Sequence, residues 1–305
     1  MARLLLMFSS FLFGLTGCDV HSPALQQDRL TSLGSAQTHA TATRINGEIR
    51  RRSVTIDGVS LSILEAGTGD PIIFVHGVVT TSNIFPKYLN AYSPDFRGIA
   101  VDLRGYGDSQ KPDSGFTIKQ FSKDLIALAD KLEIEKPIWV GVSMGGMILQ
   151  QLALDYPERV RALVLVSTTD GAMVLDKDLP TIGNPRDFRD VSKNILVESF
   201  PPQTSATLYQ PLLDRIPTWN GTVLREALTS MAQASVQGRI NAITAPTLVV
   251  VGAKDDVATP AIARGIQTQI AGAQLVEFNT GHFMMAEDPE RFRKVLGEFL
   301  QSLKK

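Results

Sequence analysis

The sequence predicts an α/β protein built on a mostly parallel, doubly wound sheet. Apolar, β-branched-rich runs recur at residues 71–75, 98–101, 137–140, 162–166 and 247–251, with a last strand-like run at 274–278. The first five runs are continuously apolar rather than alternating, the pattern of strands covered on both faces. Between them the periodicity becomes helical: Ile118, Phe121, Leu125, Leu128 and Leu132 step by three and four.

Taken in chain order, each element has its own signal. Thr117 stands where an N-cap is needed for the helix that starts at Ile118. The run at 137–140 leads into Gly141-Val142-Ser143-Met144-Gly145-Gly146 and then a helix-like apolar stretch to Leu154. Residues 171–239 interrupt the alternation with repeated prolines (Pro180, Pro185, Pro201, Pro202, Pro211, Pro217) and no sheet-like run. At the end, Asp288-Pro289 reads as an N-cap and first helical residue, followed by one apolar face of Phe292, Leu296, Phe299 and Leu303. Residues 50–305 are within the range of one α/β domain.

Strand, G-x-S-x-G, helix is the context of a nucleophile elbow, in which a sharp turn presents a serine and the flanking glycines avoid a clash. A serine hydroxyl needs an imidazole to take its proton and a carboxylate to orient that imidazole. The four histidines are His21, His39, His76 and His282. Only His282 follows Ser143, as the chain order serine, acid, histidine requires. The acid is sought after the run at 247–251, where Asp255 and Asp256 compete; Asp170 is a more distant candidate.

These motifs together resemble the α/β-hydrolase fold family, of the serine esterase, enol-lactonase and carbon–carbon bond hydrolase type. The resemblance rests on Val75-His76-Gly77, Asp102 to Ser109, Gly141 to Gly146, Tyr156 to Val160, Gly252 to Asp255 and Gly281-His282, in family order over residues 50 to 305. It implies a small helical cap inserted after strand 6, at about 171–239, in which Phe188, Phe200, Tyr209, Trp219 and Met231 are candidates to line an apolar pocket. It implies oxyanion donors at the backbone N–H groups of Val78 and Met144, a supporting role for His76, and a structural role for Asp102 and Arg104, which read equally well as surface charges. The family's G-x-x-D spacing favours Asp255, whereas the distance to Pro260 favours Asp256; Asp255 is preferred because strand geometry fixes the first spacing more firmly. A serine at the nucleophile position disfavours the chemistries that use an aspartate there.

The N-terminus carries a different signal. A short basic start and an apolar run to Leu15 read as a secretory signal over residues 1–17. Leu15-Thr16-Gly17-Cys18 resembles the bacterial lipobox, which makes Cys18, the only cysteine, the expected lipid attachment site. Two or more acyl chains anchor a protein stably. Asp19 resembles an inner-membrane retention signal, so the expected location is the cell envelope, on the periplasmic side of the inner membrane if the source is Gram-negative. Residues 18–49 read as a flexible tether rich in Ser, Thr, Gln and Ala. Arg50-Arg51-Arg52 at its end reads either as a cationic cluster for anionic headgroups or as a solvated group opening the first strand.

Composition excludes other classes. Thirty basic and 31 acidic residues leave nothing to attract nucleic acid. One cysteine and two domain histidines cannot assemble an ordinary zinc site, and no phosphate-binding loop follows a strand. No cofactor is expected. The expected activity is cleavage of a small to medium carboxylic ester or lactone by Ser143, His282 and Asp255. The alternatives are a carbon–carbon bond hydrolase, acyl transfer to an envelope acceptor, and a non-catalytic binding lipoprotein. The oligomeric state is not legible.

Overall fold

The computed structural model describes residues 48–171, 185–214 and 221–304. The expected signal peptide, Cys18, Asp19, most of the tether, parts of the cap and Trp219 lie outside the described residues, as does the side chain of Phe188.

Eight strands form one sheet: β1 Arg50–Ile56, β2 Val59–Ala66, β3 Asp70–Val75, β4 Phe96–Val101, β5 Ile138–Val142, β6 Ala162–Val166, β7 Thr247–Gly252 and β8 Gln274–Phe278. Their order is β1-β2-β4-β3-β5-β6-β7-β8. The β1–β2 and β2–β4 pairs are antiparallel, and every other pair is parallel. The β1–β2 hairpin turns at Asp57-Gly58, both with positive φ (44° and 79°), the geometry that Asp-Gly favours.

The parallel strands explain the continuous apolarity. Ile73, Val75, Val101, Trp139, Leu163, Leu165, Val249 and Val251 belong to a core shared with helices α2 (Ile118–Lys131) and α3 (Met144–Asp155). The alternate residues Ile72, Phe74, Ala100, Ile138, Val140, Val164, Leu248 and Val250 belong to a second core. Helices α1 (Pro86–Tyr92) and α9 (Pro289–Ser302) close that second core with Leu89, Phe292 and Leu296. The central strands therefore pack against helices on both faces of the sheet.

The expected caps are formed. The Thr117 hydroxyl accepts the Gln120 N–H at 3.2 Å, and the Asp288 carboxylate accepts the Arg291 N–H at 3.3 Å. Between β6 and β7 the chain forms α4 (Pro185–Glu198), α5 (Ala206–Leu213) and α6 (Gly221–Gln233), so the expected insertion is helical. Helix α7 (Pro260–Gln269) links β7 to β8, and the short α8 (Met284–Glu287) precedes α9.

The arginine cluster requires a correction. Arg51 donates to Asp102 at 3.0 Å, to Ser62 at 2.8 Å and to Asn83 at 2.9 Å, and it pairs with Asp108 at 2.9 Å. Arg52 donates to Glu65 at 2.8 Å. Two of the three guanidinium groups therefore bind the antiparallel edge of the sheet rather than standing free for headgroups. Asp102 and Arg104 are likewise not surface charges. Asp102 is buried and also receives the Ser82 N–H at 2.7 Å. Arg104 makes a two-pronged pair with the buried Asp124, with Nη2 to Oδ1 at 2.6 Å and Nε to Oδ2 as the second contact.

Candidate active site

In a parallel sheet the loops after the strands gather at one edge, where open α/β folds place their ligands. Here the loops after β3, β5, β7 and β8 carry His76 to Val78, Ser143, Asp255 and His282.

Ser143 stands between β5 and α3 with φ 54° and ψ −117°, a sparsely populated conformation for a residue with a side chain. Its surroundings hold it there. Its N–H donates to Val166 O at 2.8 Å, and its carbonyl receives the N–H groups of Gly146 and Met147 at 2.8 and 3.2 Å. The Thr168 hydroxyl donates to the same carbonyl at 2.8 Å. A Cβ on Gly141 would lie 2.6 Å from the Gly145 carbonyl carbon, and one on Gly145 would lie 2.9 Å from the His76 oxygen. Both motif glycines are therefore required by close backbone approach. The His76-Gly77 turn lies against the serine, since a Cβ on Gly77 would come within 3.3 Å of the Ser143 Cβ.

Asp255 and His282 meet directly. His282 Nδ1 lies 2.8 Å from Asp255 Oδ2, and both residues are buried. With an ionised carboxylate as acceptor, Nδ1 carries the proton and Nε2 is left as the basic nitrogen. The other oxygen, Oδ1, accepts the N–H groups of Val257 and Ala258 at 3.0 and 2.9 Å. Asp256 is exposed, so of the two sequence candidates Asp255 is the one joined to the imidazole. Asp170 instead accepts from Gln269 at 3.4 Å.

The two expected oxyanion donors are both available. Among the described residues, neither the Val78 nor the Met144 N–H donates to a protein acceptor. Buried amides without an acceptor are uncommon in folded proteins. His76 has a different environment. It is fully buried, its Nδ1 donates to Gly77 O at 2.8 Å, and its Nε2 accepts the Leu103 N–H at 3.1 Å. Burial pushes its pKa down, with Asp102 and the Gly77 bond acting the other way. It is thereby fixed as a neutral strut that ties the loop after β3 to the loop after β4.

The histidine loop is also tied to the cap. The His282 N–H donates to Ser199 O at 3.0 Å, just beyond α4. Phe200 stacks on Phe283, with centroids 5.2 Å apart, and meets Tyr209 at 5.5 Å. Of the expected pocket residues, Phe200 and Tyr209 thus lie beside the imidazole loop, and Met231 is 1% exposed within the α2–α3 core. Sequence reasoning did not find Thr168 or Ser199, and one of them acts through a carbonyl that any residue supplies.

A family model described as alpha/beta hydrolase fold matches residues 70–191. The structure described as Est816, an N-acyl homoserine lactone degrading enzyme, superposes with a TM-score of 0.72 at 28% identity, covering 81% of this chain and 100% of that one. This is the α/β-hydrolase fold. Within it, the chain is 28% identical over 264 residues to the AB hydrolase superfamily protein YisY of Bacillus subtilis, spanning 81% of this chain and 98% of the relative. It is 24% identical to 3-oxoadipate enol-lactonase 2 of Acinetobacter baylyi, spanning 79% of this chain and 92% of that enzyme. The similarity therefore extends across nearly the full length of these relatives.

Proposed function

We propose that the protein is a serine hydrolase that cleaves small to medium carboxylic esters or lactones through an acyl-enzyme. The observation that carries this reading is the His282–Asp255 pair at 2.8 Å, which orients Nε2 as a base. The strained Ser143 turn and the two unengaged amides support it. Ser143 Oγ attacks the carbonyl carbon and its proton passes to His282 Nε2. The oxyanion of the tetrahedral intermediate is held by the Val78 and Met144 N–H groups. Collapse breaks the bond to the leaving oxygen, which takes the proton from His282. Water then repeats the sequence on the acyl-enzyme and releases the acid. The likeness to an enol-lactonase and to a lactone-degrading enzyme supports an ester or lactone carbonyl as the target. The lipobox-like Leu15 to Cys18 supports attachment of this activity to a membrane through Cys18.

Labelling with a fluorophosphonate probe, beside turnover of a short-chain p-nitrophenyl ester, tests the assignment. The wild type should label and turn over, and Ser143→Ala should lose labelling and on the order of 10⁴-fold of turnover. Equal labelling of both proteins would refute Ser143 as the nucleophile.

A further inference from the structure

The loop that carries His282 has a second carboxylate behind it. The Gly281 N–H donates to Glu287, at 2.9 Å to Oε1 and 3.2 Å to Oε2. Glu287 is the last residue of α8, so the short helix turns the chain back onto the peptide just before the imidazole. That peptide has little room to move. A Cβ on Gly281 would come within 2.5 Å of Pro201 Cδ, and one on Gly252 would come within 2.5 Å of the Thr280 oxygen. The loop is wedged between the end of β7 and the cap, and its two successive N–H groups go to Glu287 and to Ser199 O.

The charges around the imidazole belong to several elements. The loop after β7 brings Asp255, bonded to the ring, and Lys254; α8 brings Glu287. Glu198, at the end of α4, has its carboxyl pushed up by burial, with the charge of Asp256 adding to it. Burial pushes the Glu287 carboxyl up, and the Gly281 N–H and Lys254 pull it down. The charge of Asp255 also raises it and that of His282 lowers it, so Glu287 is in electrostatic reach of both members of the pair.

We propose that Glu287 is a positioning residue for the base: it fixes the Gly281–His282 peptide and adds a second negative charge to the one Asp255 sets beside the imidazolium. The proposal rests on the reading of His282 as the general base. Glu287 makes and breaks no covalent bond in the reaction. Its hydrogen bond sets where Nε2 points, and its charge favours the protonated ring that forms when Ser143 gives up its proton.

The two functions separate in two variants of the full chain. Glu287→Gln keeps an oxygen to accept the Gly281 N–H and removes the charge. Glu287→Ala removes both. With a p-nitrophenyl ester, Glu287→Gln should lower kcat at the plateau by no more than about threefold, the change in base strength that half a pH unit represents. The acid limb of its kcat/KM profile should move down by about half a pH unit, because a base with less negative charge nearby loses its proton at lower pH. Glu287→Ala should show the same shift and lose about tenfold or more in kcat with little change in KM, since the ring is no longer held in place. Titration of the His282 ring by NMR should show the same downward shift in both variants without any substrate. Unchanged acid limbs and ring titration, with only a lower melting temperature, would overturn the proposal and leave Glu287 a structural residue. A wild type that neither labels nor turns over would refute the esterase reading, while the NMR titration would still decide this one.

Discussion

Asp255 gives up its solvent for three hydrogen bonds, from His282 Nδ1, Val257 N–H and Ala258 N–H; Asp256, one residue on, stays exposed. The difference sets their expected phenotypes. Asp255→Asn would present an amide to the ring and stabilise the wrong tautomer, and turnover should fall by about 10⁴-fold. Asp256→Asn should stay within about threefold, as exposed substitutions do. Steady-state kinetics on the two variants checks this, and similar losses in both would overturn the assignment. At this scale the sequence was legible where geometry forces a residue type. Gly141, Gly145 and the step from Gly252 to Asp255 are dictated by how closely backbone must approach backbone. Thr168 and Ser199 were not legible. The first is one of many threonines, and the second offers only its carbonyl oxygen.

Among the elements, the antiparallel edge is held by charge. Glu65 on β2 accepts from Arg52 on β1 at 2.8 Å and from Arg97 on β4 at 2.7 Å, so one carboxylate ties three strands. Burial alone would raise its pKa, but the bonds and charges of Arg52 and Arg97 outweigh it and leave Glu65 below its usual 4.5. A depressed folded pKa contributes stability above the unfolded value, and that stability is lost as pH falls through the folded one. Glu65→Gln should therefore melt several degrees below the wild type at neutral pH, a cost of about 1–2 kcal/mol. The gap should close in acid below the carboxylate range. Thermal melts at the two pH values check it, and a gap independent of pH would show that the ion pairs contribute nothing. The central strands were readable because both their faces are covered, which leaves an apolar run no polar residue interrupts. β1 and β2 were harder. β1 is largely exposed and opens on three arginines, and β2 carries Ser62 and Glu65, whose partners lie on neighbouring strands. The Asp57-Gly58 turn is the signal that could have marked that hairpin, and it was not read. The cap was legible as an interruption, yet the three helices among its described residues were not, because prolines broke the window in which a helical period is recognised.

For the whole molecule, the described α/β-hydrolase fold begins with β1 at Arg50, and the proposed lipid anchor belongs to the segment before it. Cys18→Ser expressed in a bacterium should move the protein from the membrane pellet to the soluble fraction, with ester turnover per molecule unchanged. A variant that remains in the pellet would refute attachment through Cys18. The fold itself was readable from the recurrence of runs and the order of the motifs. Where the cap meets the sheet depends on contacts far apart in sequence, and no local pattern records them.

One of those contacts limits how such a protein is recombined. The His282 N–H is held by the carbonyl of Ser199, and Pro201 packs on Gly281. The boundary between scaffold and insertion therefore does not fall at the end of β6. Residues 199–201 are physically part of the machinery below, although the chain presents them as part of the insertion. A chimera that imports a relative's cap as one cassette would replace the carbonyl that holds His282, the proposed base. One that keeps residues 199–201 and exchanges only the cap segment between them and the start of β7 should change what the proposed active site admits and leave the proposed chemistry intact.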